Sequence, residues 1–116
     1  MIDNEYIKFD RMPSIYWNAI TKASYLQRKI LVHSILYYVL DSSVISDKDY
    51  DRLSKQLVNL RKTMSEQDYQ KTEYYYCFDN FDGSTGFDLY DKLKKQDKKY
   101  LTFIAQYVLR SYGGIN

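Results

Sequence analysis

Tyr37-Tyr38-Val39-Leu40-Asp41-Ser42-Ser43-Val44-Ile45-Ser46-Asp47-Lys48-Asp49-Tyr50-Asp51-Arg52-Leu53 is the stretch that decides the fold. Asp41-Ser42-Ser43 interrupts an apolar run, and Val44-Ile45 is a short apolar pair inside the turn. Ser46 and Asp49 then have the form of a capping box, a hydroxyl followed three residues later by an acid. Ile45 and Tyr50 stand where a hydrophobic staple would close that cap. Backwards from the turn, the sequence from Ser14 to Leu40 holds no glycine and no proline. Ala19, Ala23, Leu26, Ile30, His33, Tyr37 and Leu40 recur along it at spacings of four and three, which is one stripe of a helix. Ile20, Arg28, Leu31 and Ile35 widen the stripe, and Met12-Pro13-Ser14 reads as its start. The pattern predicts a helix of about seven turns. Forwards, Tyr50, Leu53, Leu57, Leu60 and Met64 predict a second helix to about Lys62. The short turn packs it antiparallel on the first.

Beyond Lys62 the signals are shorter. Ser65-Glu66-Gln67-Asp68 repeats the capping pattern and predicts a third helix through Tyr69, Thr72 and Tyr76. A strand is the rival over residues 72–78, because Thr72-Glu73-Tyr74-Tyr75-Tyr76-Cys77-Phe78 is rich in strand formers. Helix is preferred, since a lone strand has no evident partner. Asp79 to Gly86 is a loop holding two of the four glycines. Thr85 with Asp88 offers a cap for a short helix through Leu89 and Leu93. Asp97 opens a last helix with Leu101, Ile104, Ala105, Val108 and Leu109 on one face, ended by Gly113-Gly114. The expectation is an all-α fold of about five helices in one domain, residues 1–116. Residues 1–13 form an irregular arm, 14–62 the long helix pair, and 63–116 further helices around Asp82-Gly83-Ser84-Thr85-Gly86.

Composition bounds the function. The chain has 116 residues, of which 45% are hydrophobic, enough for one modest core. Seventeen basic against 15 acidic side chains leave a net charge of +2, which argues against nucleic acid as the main partner. One cysteine excludes an internal disulfide framework and a zinc cage of cysteines alone. Cys77 lies among aromatics and reads as a buried, inert thiol. The acidic N-terminus is no secretory signal, and the run Ile35 to Leu40 is far short of the ~20 residues of a membrane span. A cytoplasmic protein of a bacterial cell is the expectation. Fourteen tyrosines are the oddity, and they belong either to an aromatic core or to a stacking surface. In the run Tyr74-Tyr75-Tyr76 a helix would leave at least one ring exposed. Lys92, Lys94, Lys95, Lys98 and Lys99 read as a solvated face, and His33 as a packed interfacial histidine.

The stretch from Tyr37 to Leu53 resembles the helix-turn-helix signature of the small N-terminal domain, Ia, of bacterial NAD-dependent DNA ligases. There Tyr-(Tyr/His)-Val-x-Asp ends one helix, Ile-(Ser/Pro)-Asp lies in the turn, and x-(Glu/Asp)-Tyr-Asp-x-Leu opens the next. That resemblance implies a site for the nicotinamide mononucleotide (NMN) half of NAD. It assigns Tyr37 and Tyr50 to the nicotinamide ring, with Tyr38 where some ligases carry histidine. It assigns Asp47 and Asp51 to the ribose hydroxyls and the carboxamide. The spacing is consistent with this, because Asp47, Tyr50 and Asp51 lie at i, i+3 and i+4 on one side of a helix. The plainer reading puts Tyr37 and Tyr50 in the helix seam and makes Asp47 a first-turn charge facing the helix dipole.

The resemblance also implies limits. Ligases accept AMP on the lysine of Lys-x-Asp-Gly, and the nearest string here is Asn80-Phe81-Asp82-Gly83. Asparagine forms no phosphoramide, so no enzyme is expected, no cofactor is required, and NMN or NAD is a ligand at most. Gly83-Ser84-Thr85-Gly86 is no Walker A motif, and it reads as a phosphate cradle or, more simply, a flexible connection. The whole chain is similar to short ligase-related proteins of phages and prophages. The alternative function is a protein-interaction factor, such as an anti-CRISPR or other anti-defence inhibitor or a modulator of a host enzyme. It would use the same scaffold on a protein partner.

Overall fold

The computed structural model describes residues 17–84 and 86–111. The expected arm, the start at Met12-Pro13-Ser14, the Thr85 cap and the Gly113-Gly114 stop lie outside the described residues. Among those residues there are six α-helices and no strand, so the fold is all-α. The strand alternative for residues 72–78 is therefore overturned.

Helix α1 spans Ala19–Ser34. Its N-cap is Asn18, whose Oδ1 accepts the Thr21 amide at 2.8 Å. Ala23, Ile30 and Leu31 are fully buried. Past Ser34 the helix does not continue as α. Ile35–Val39 forms a π turn, with the Leu40 amide donating to the Ile35 carbonyl at 2.9 Å and the Ser42 amide to the Leu36 carbonyl at 2.8 Å. A π turn widens the spiral by an extra residue and so rotates the side chains beyond it. That is why Tyr37 leaves the expected apolar stripe and is 52% exposed, while Ile35 and Leu36 are buried. Asp41 ends the turn at φ 52°, the left-handed conformation that asparagine and aspartate tolerate better than most side chains.

Helix α2 spans Asp47–Lys62 and packs back on α1. Ser46 caps it, its Oγ accepting the Asp49 amide at 3.0 Å. The Asp49 carboxylate does not complete the box by the pairing the pattern suggests. It forms an ion pair with Arg52 at 2.8 Å.

The expected third helix is two four-residue turns, α3 (Glu66–Tyr69) and α4 (Tyr75–Phe78). Ser65 caps α3 as expected, accepting the Asp68 amide at 3.1 Å. The split between them comes from α1. The buried Gln27 side chain donates to Thr72 Oγ1 at 2.8 Å and accepts the Tyr74 amide at 2.9 Å. Ser24 Oγ accepts the Glu73 amide at 3.0 Å. Arg28, 3% exposed, makes a two-pronged bond to Glu73 at 2.8 and 3.0 Å. Residues 72–74 are thus held by side chains of α1 where a continuous helix would need its own backbone bonds. Tyr74 is buried, and Tyr75 and Tyr76 are half-buried, so no ring of this run is exposed as the run alone suggested. The Tyr76 hydroxyl bonds Asp97 and accepts the Lys94 amide at 3.2 Å.

Helix α5 (Leu89–Lys92) and helix α6 (Lys95–Ser111) complete the described chain. The last helix starts two residues before the Asp97 the pattern pointed to. Leu101, Ile104, Ala105 and Val108 bury against the core that α1 and the π turn supply. Phe78, Leu57, Leu89 and Cys77 join the same core, which takes residues from Ala23 to Val108. Burial pushes the Cys77 thiol up to about 11, so it stays protonated and inert at neutral pH.

Candidate functional site

The turn between α1 and α2 opens into a cavity of about 370 Å³. Tyr37, Tyr38, Asp47, Tyr50 and Asp51 all line it, together with Ser43 to Ser46, His33 and Ser84. Its size lies at the lower end of the range for small-molecule sites. The residues that sequence singled out are therefore brought together around one space. How each arrives there differs.

Tyr37 and Tyr38 are delivered by the π turn. Their rings meet edge to face, 4.8 Å apart at 88°, and are 52% and 41% exposed. Tyr37 is thus not seam filling. Tyr50 belongs to both seam and cavity. It is half-buried against the core, and its hydroxyl sits 2.6 Å from Ser34 Oγ. Burial pushes its phenol up to about 12, against the opposing effect of the Ser34 bond, so it stays neutral. Asp47 and Asp51 are exposed at the cavity edge on the first turns of α2. Asp51 holds Lys55 at 2.9 Å. Asp47 has no ion pair among the described residues and is the carboxylate whose charge is least shared. The lining holds no lysine or arginine.

His33 lies on the cavity wall but is only 5% exposed, and its Nδ1 has no partner among the described residues. Burial, and then the charge of Lys29, lower its pKa to about 4, so the imidazole is neutral at physiological pH. This makes stability sensitive to acid. Above pH 6.5 neither the folded nor the unfolded chain protonates the group. Between 6.5 and about 4 the unfolded chain binds the proton and the folded chain does not. Stability contributed by the neutral ring is therefore lost as pH falls through that window. Thermal melts at pH 7 and pH 4 will show a loss of up to about 3 kcal/mol that His33→Gln removes. Equal acid sensitivity in the two proteins refutes the assignment.

Sequence reasoning missed the contribution of the loop after α4. Ser84 lines the cavity, and its amide and hydroxyl both reach Asp82 Oδ1, at 2.9 and 2.7 Å. That turn is held by its own Asp82 side chain. The glycines serve close approach to the helix pair. Gly83 has φ 87°, and a Cβ there would lie 3.2 Å from Val58 Cγ2. A Cβ on Gly86 would lie 1.9 Å from the Tyr50 hydroxyl and 2.6 Å from Ser34 Oγ. Phe87 then stands edge-on to Tyr38, 5.4 Å away at 82°. The two glycines of the loop were the visible signal, but the surface they approach is tertiary.

Among the described residues no three His, Cys, Asp or Glu side chains are grouped to hold a metal, and no helix is long and apolar enough to cross a membrane.

Helix, π turn and capped second helix form a small all-α unit around an aromatic-acidic cavity. Residues 18–71 match the family model of the DNA ligase-like, N-terminal NAD+-binding domain. The DNA ligase of Pelotomaculum thermopropionicum is 49% identical over 41 residues, 35% of this chain and 6% of that ligase. The ligase of Thermotoga neapolitana is 35% identical over 57 residues, 49% of this chain and 8% of the ligase. That of Desulforudis audaxviator is 46% identical over 48 residues, 41% of this chain and 7% of the ligase. The matched stretch thus spans under a tenth of the curated relatives' length. No solved structure matches the chain significantly.

Proposed function

We propose that this protein is a non-catalytic nucleotide-binding module that holds the nicotinamide mononucleotide half of NAD in the cavity between α1 and α2. The observation that carries this is the character of the lining. Three tyrosines and two aspartates surround the space, His33 is neutral, and no basic side chain takes part. A pyridinium is a flat cation. It gains about 0.5–2 kcal/mol over tyrosine faces, the more so when desolvated. Asp47 adds an attractive charge and an acceptor for a ribose hydroxyl or carboxamide. The match of residues 18–71 to the family model of an NAD+-binding domain supports the same ligand.

A non-catalytic role rests on Asn80, which stands where a ligase-type Lys-x-Asp-Gly would place its nucleophile.

Calorimetric titration with NMN tests the reading. Saturable heat with a stoichiometry near one per chain is expected. Absence of heat at millimolar NMN and NAD overturns it. In that outcome the exposed rings of Tyr37, Tyr38 and Phe87 favour the second reading, a docking edge for a protein partner.

A further inference from the structure

The family match ends at residue 71, yet Ser84 lines the cavity. Three contacts tie the segment around Ser84 to the helix pair. Gly83 lies against Val58 and the Ser54 carbonyl of α2. Gly86 leaves no space beside the Tyr50 hydroxyl and Ser34 Oγ. Phe87 meets the ring of Tyr38. Tyr50 and Tyr38 are the two cavity rings that these contacts touch.

We infer that Ser84 is a wall of the mononucleotide site supplied by the chain's second half, and that Gly86 and Phe87, which touch the lining rings from outside the cavity, set the positions of Tyr50 and Tyr38. This rests on the nucleotide-binding reading and adds residues to it that the domain family does not cover. Gly86 acts by lacking a side chain. The Tyr50 hydroxyl and Ser34 can then bond at 2.6 Å with the loop backbone directly against them. A methyl at that position must push the Tyr50 ring, the Ser34 bond or the loop itself. Any of these changes the shape of the cavity. Phe87 acts from the rim. Its ring is 68% exposed, so its removal costs little core packing, but it fixes one edge of Tyr38. Ser84 lines the cavity with a side chain already held by Asp82. The site is therefore assembled from both halves of the chain, and its fit to the ligand depends on the second.

Calorimetry with NMN on the full chain tests this with four variants and the wild type. Gly86→Ala should weaken binding about tenfold or more, because displacement of a contact group by about 1 Å is felt strongly. Phe87→Ala should weaken it about two- to tenfold, the weight of one aromatic pair. Phe87→Tyr keeps the ring and should restore affinity. Phe103→Ala removes a ring of similar exposure, placed on α6 and outside the cavity lining, and should leave affinity unchanged. Melting midpoints separate a folding defect from a site defect. Should Gly86→Ala fail to fold, the Phe87 pair of variants decides alone. Wild-type affinity in Phe87→Ala and in a folded Gly86→Ala overturns the inference and leaves the nucleotide reading standing. A wild-type protein that gives no heat with NMN overturns both.

Discussion

Asp47→Ala combined with Tyr50→Ala will abolish detectable NMN binding while the protein stays folded. Each half of the double variant removes a different interaction. Asp47 is the acidic group of α2's start that no ion pair engages among the described residues. Asp49 and Asp51 hold Arg52 and Lys55. A hydrogen bond from a ligand to such a charged acceptor contributes about 1.5–3 kcal/mol. Tyr50 offers a ring face held rigid by Ser34, worth about 0.5–2 kcal/mol to a pyridinium. Together they amount to about 30-fold to several thousandfold in affinity, enough to carry a modest nucleotide affinity out of calorimetric range. The single variants rank the contributions. Asp47→Ala should exceed Asp51→Ala, because Lys55 already draws on the Asp51 charge. Tyr50→Phe keeps the ring and should bind nearly as well as the wild type, although it leaves Ser34 without its 2.6 Å partner. Unchanged heat from the folded double variant refutes the site. A double variant that melts far below the wild type is read from Asp47→Ala, which is exposed and leaves the core untouched.

Salt sharpens the same result. The attraction between exposed carboxylates and a cation is screened within about 10 Å at 0.1 M ionic strength, whereas the ring contacts are not. Affinity of the wild type should therefore fall with added salt, and that of Asp47→Ala should fall less.

Some of this was legible in the residues alone, for physical reasons that differ from place to place. Ser46 and Ser65 were readable because a cap is local: a hydroxyl, three residues and an amide settle it. The buried face of α6 was readable because Leu101, Ile104, Ala105 and Val108 follow a helical period without interruption. Tyr37 was misplaced on the core stripe because the period was carried through a π turn. Nothing in Ile35-Leu36-Tyr37-Tyr38-Val39 marks that widening, which the structure supports through the bonds from Leu40 and Ser42. Of the two readings of Tyr37, the structure supports the cavity and not the seam. The cavity lining of the turn was legible as a cluster, since Asp47, Tyr50 and Asp51 share one side of α2 and the turn is short. Ser84 and Gly86 were not, because a close approach is a property of two surfaces. The loop's glycines show that small residues are tolerated, and only the Tyr50 hydroxyl shows what they make room for.

Gln27→Leu will destabilise the protein by about 3 kcal/mol, the largest loss expected of any single polar replacement. Gln27 is fully buried at the centre of α1, and both ends of its amide are engaged. Nε2 donates to Thr72 Oγ1 at 2.8 Å, and Oε1 accepts the Tyr74 amide at 2.9 Å. Leucine fills nearly the same volume, so no large void opens. The variant leaves a backbone N–H of a buried residue without its acceptor, and such a group costs about 1–3 kcal/mol. Thr72 loses its donor but keeps the Tyr69 carbonyl as an acceptor at 2.7 Å, so its share of the loss is smaller. For a domain of this size about 3 kcal/mol lowers the melting midpoint by roughly 10–20 °C. Gln27→Glu separates the two ends of the amide. Ionised, it keeps an acceptor for the Tyr74 amide, cannot donate to Thr72 and must be desolvated; protonated, it is neutral and regains a donor. Its midpoint should therefore rise on going from pH 7 to pH 5, against the His33 trend. The same buried amide, with Ser24 and Arg28, holds residues 72–74 out of a helix. Gln27 is the one of these side chains that binds the Tyr74 amide, so hydrogen exchange at Tyr74 should accelerate first in the leucine variant. Unchanged protection at Tyr74 and a midpoint within about 2 °C of the wild type would show that the amide pair contributes nothing to the fold.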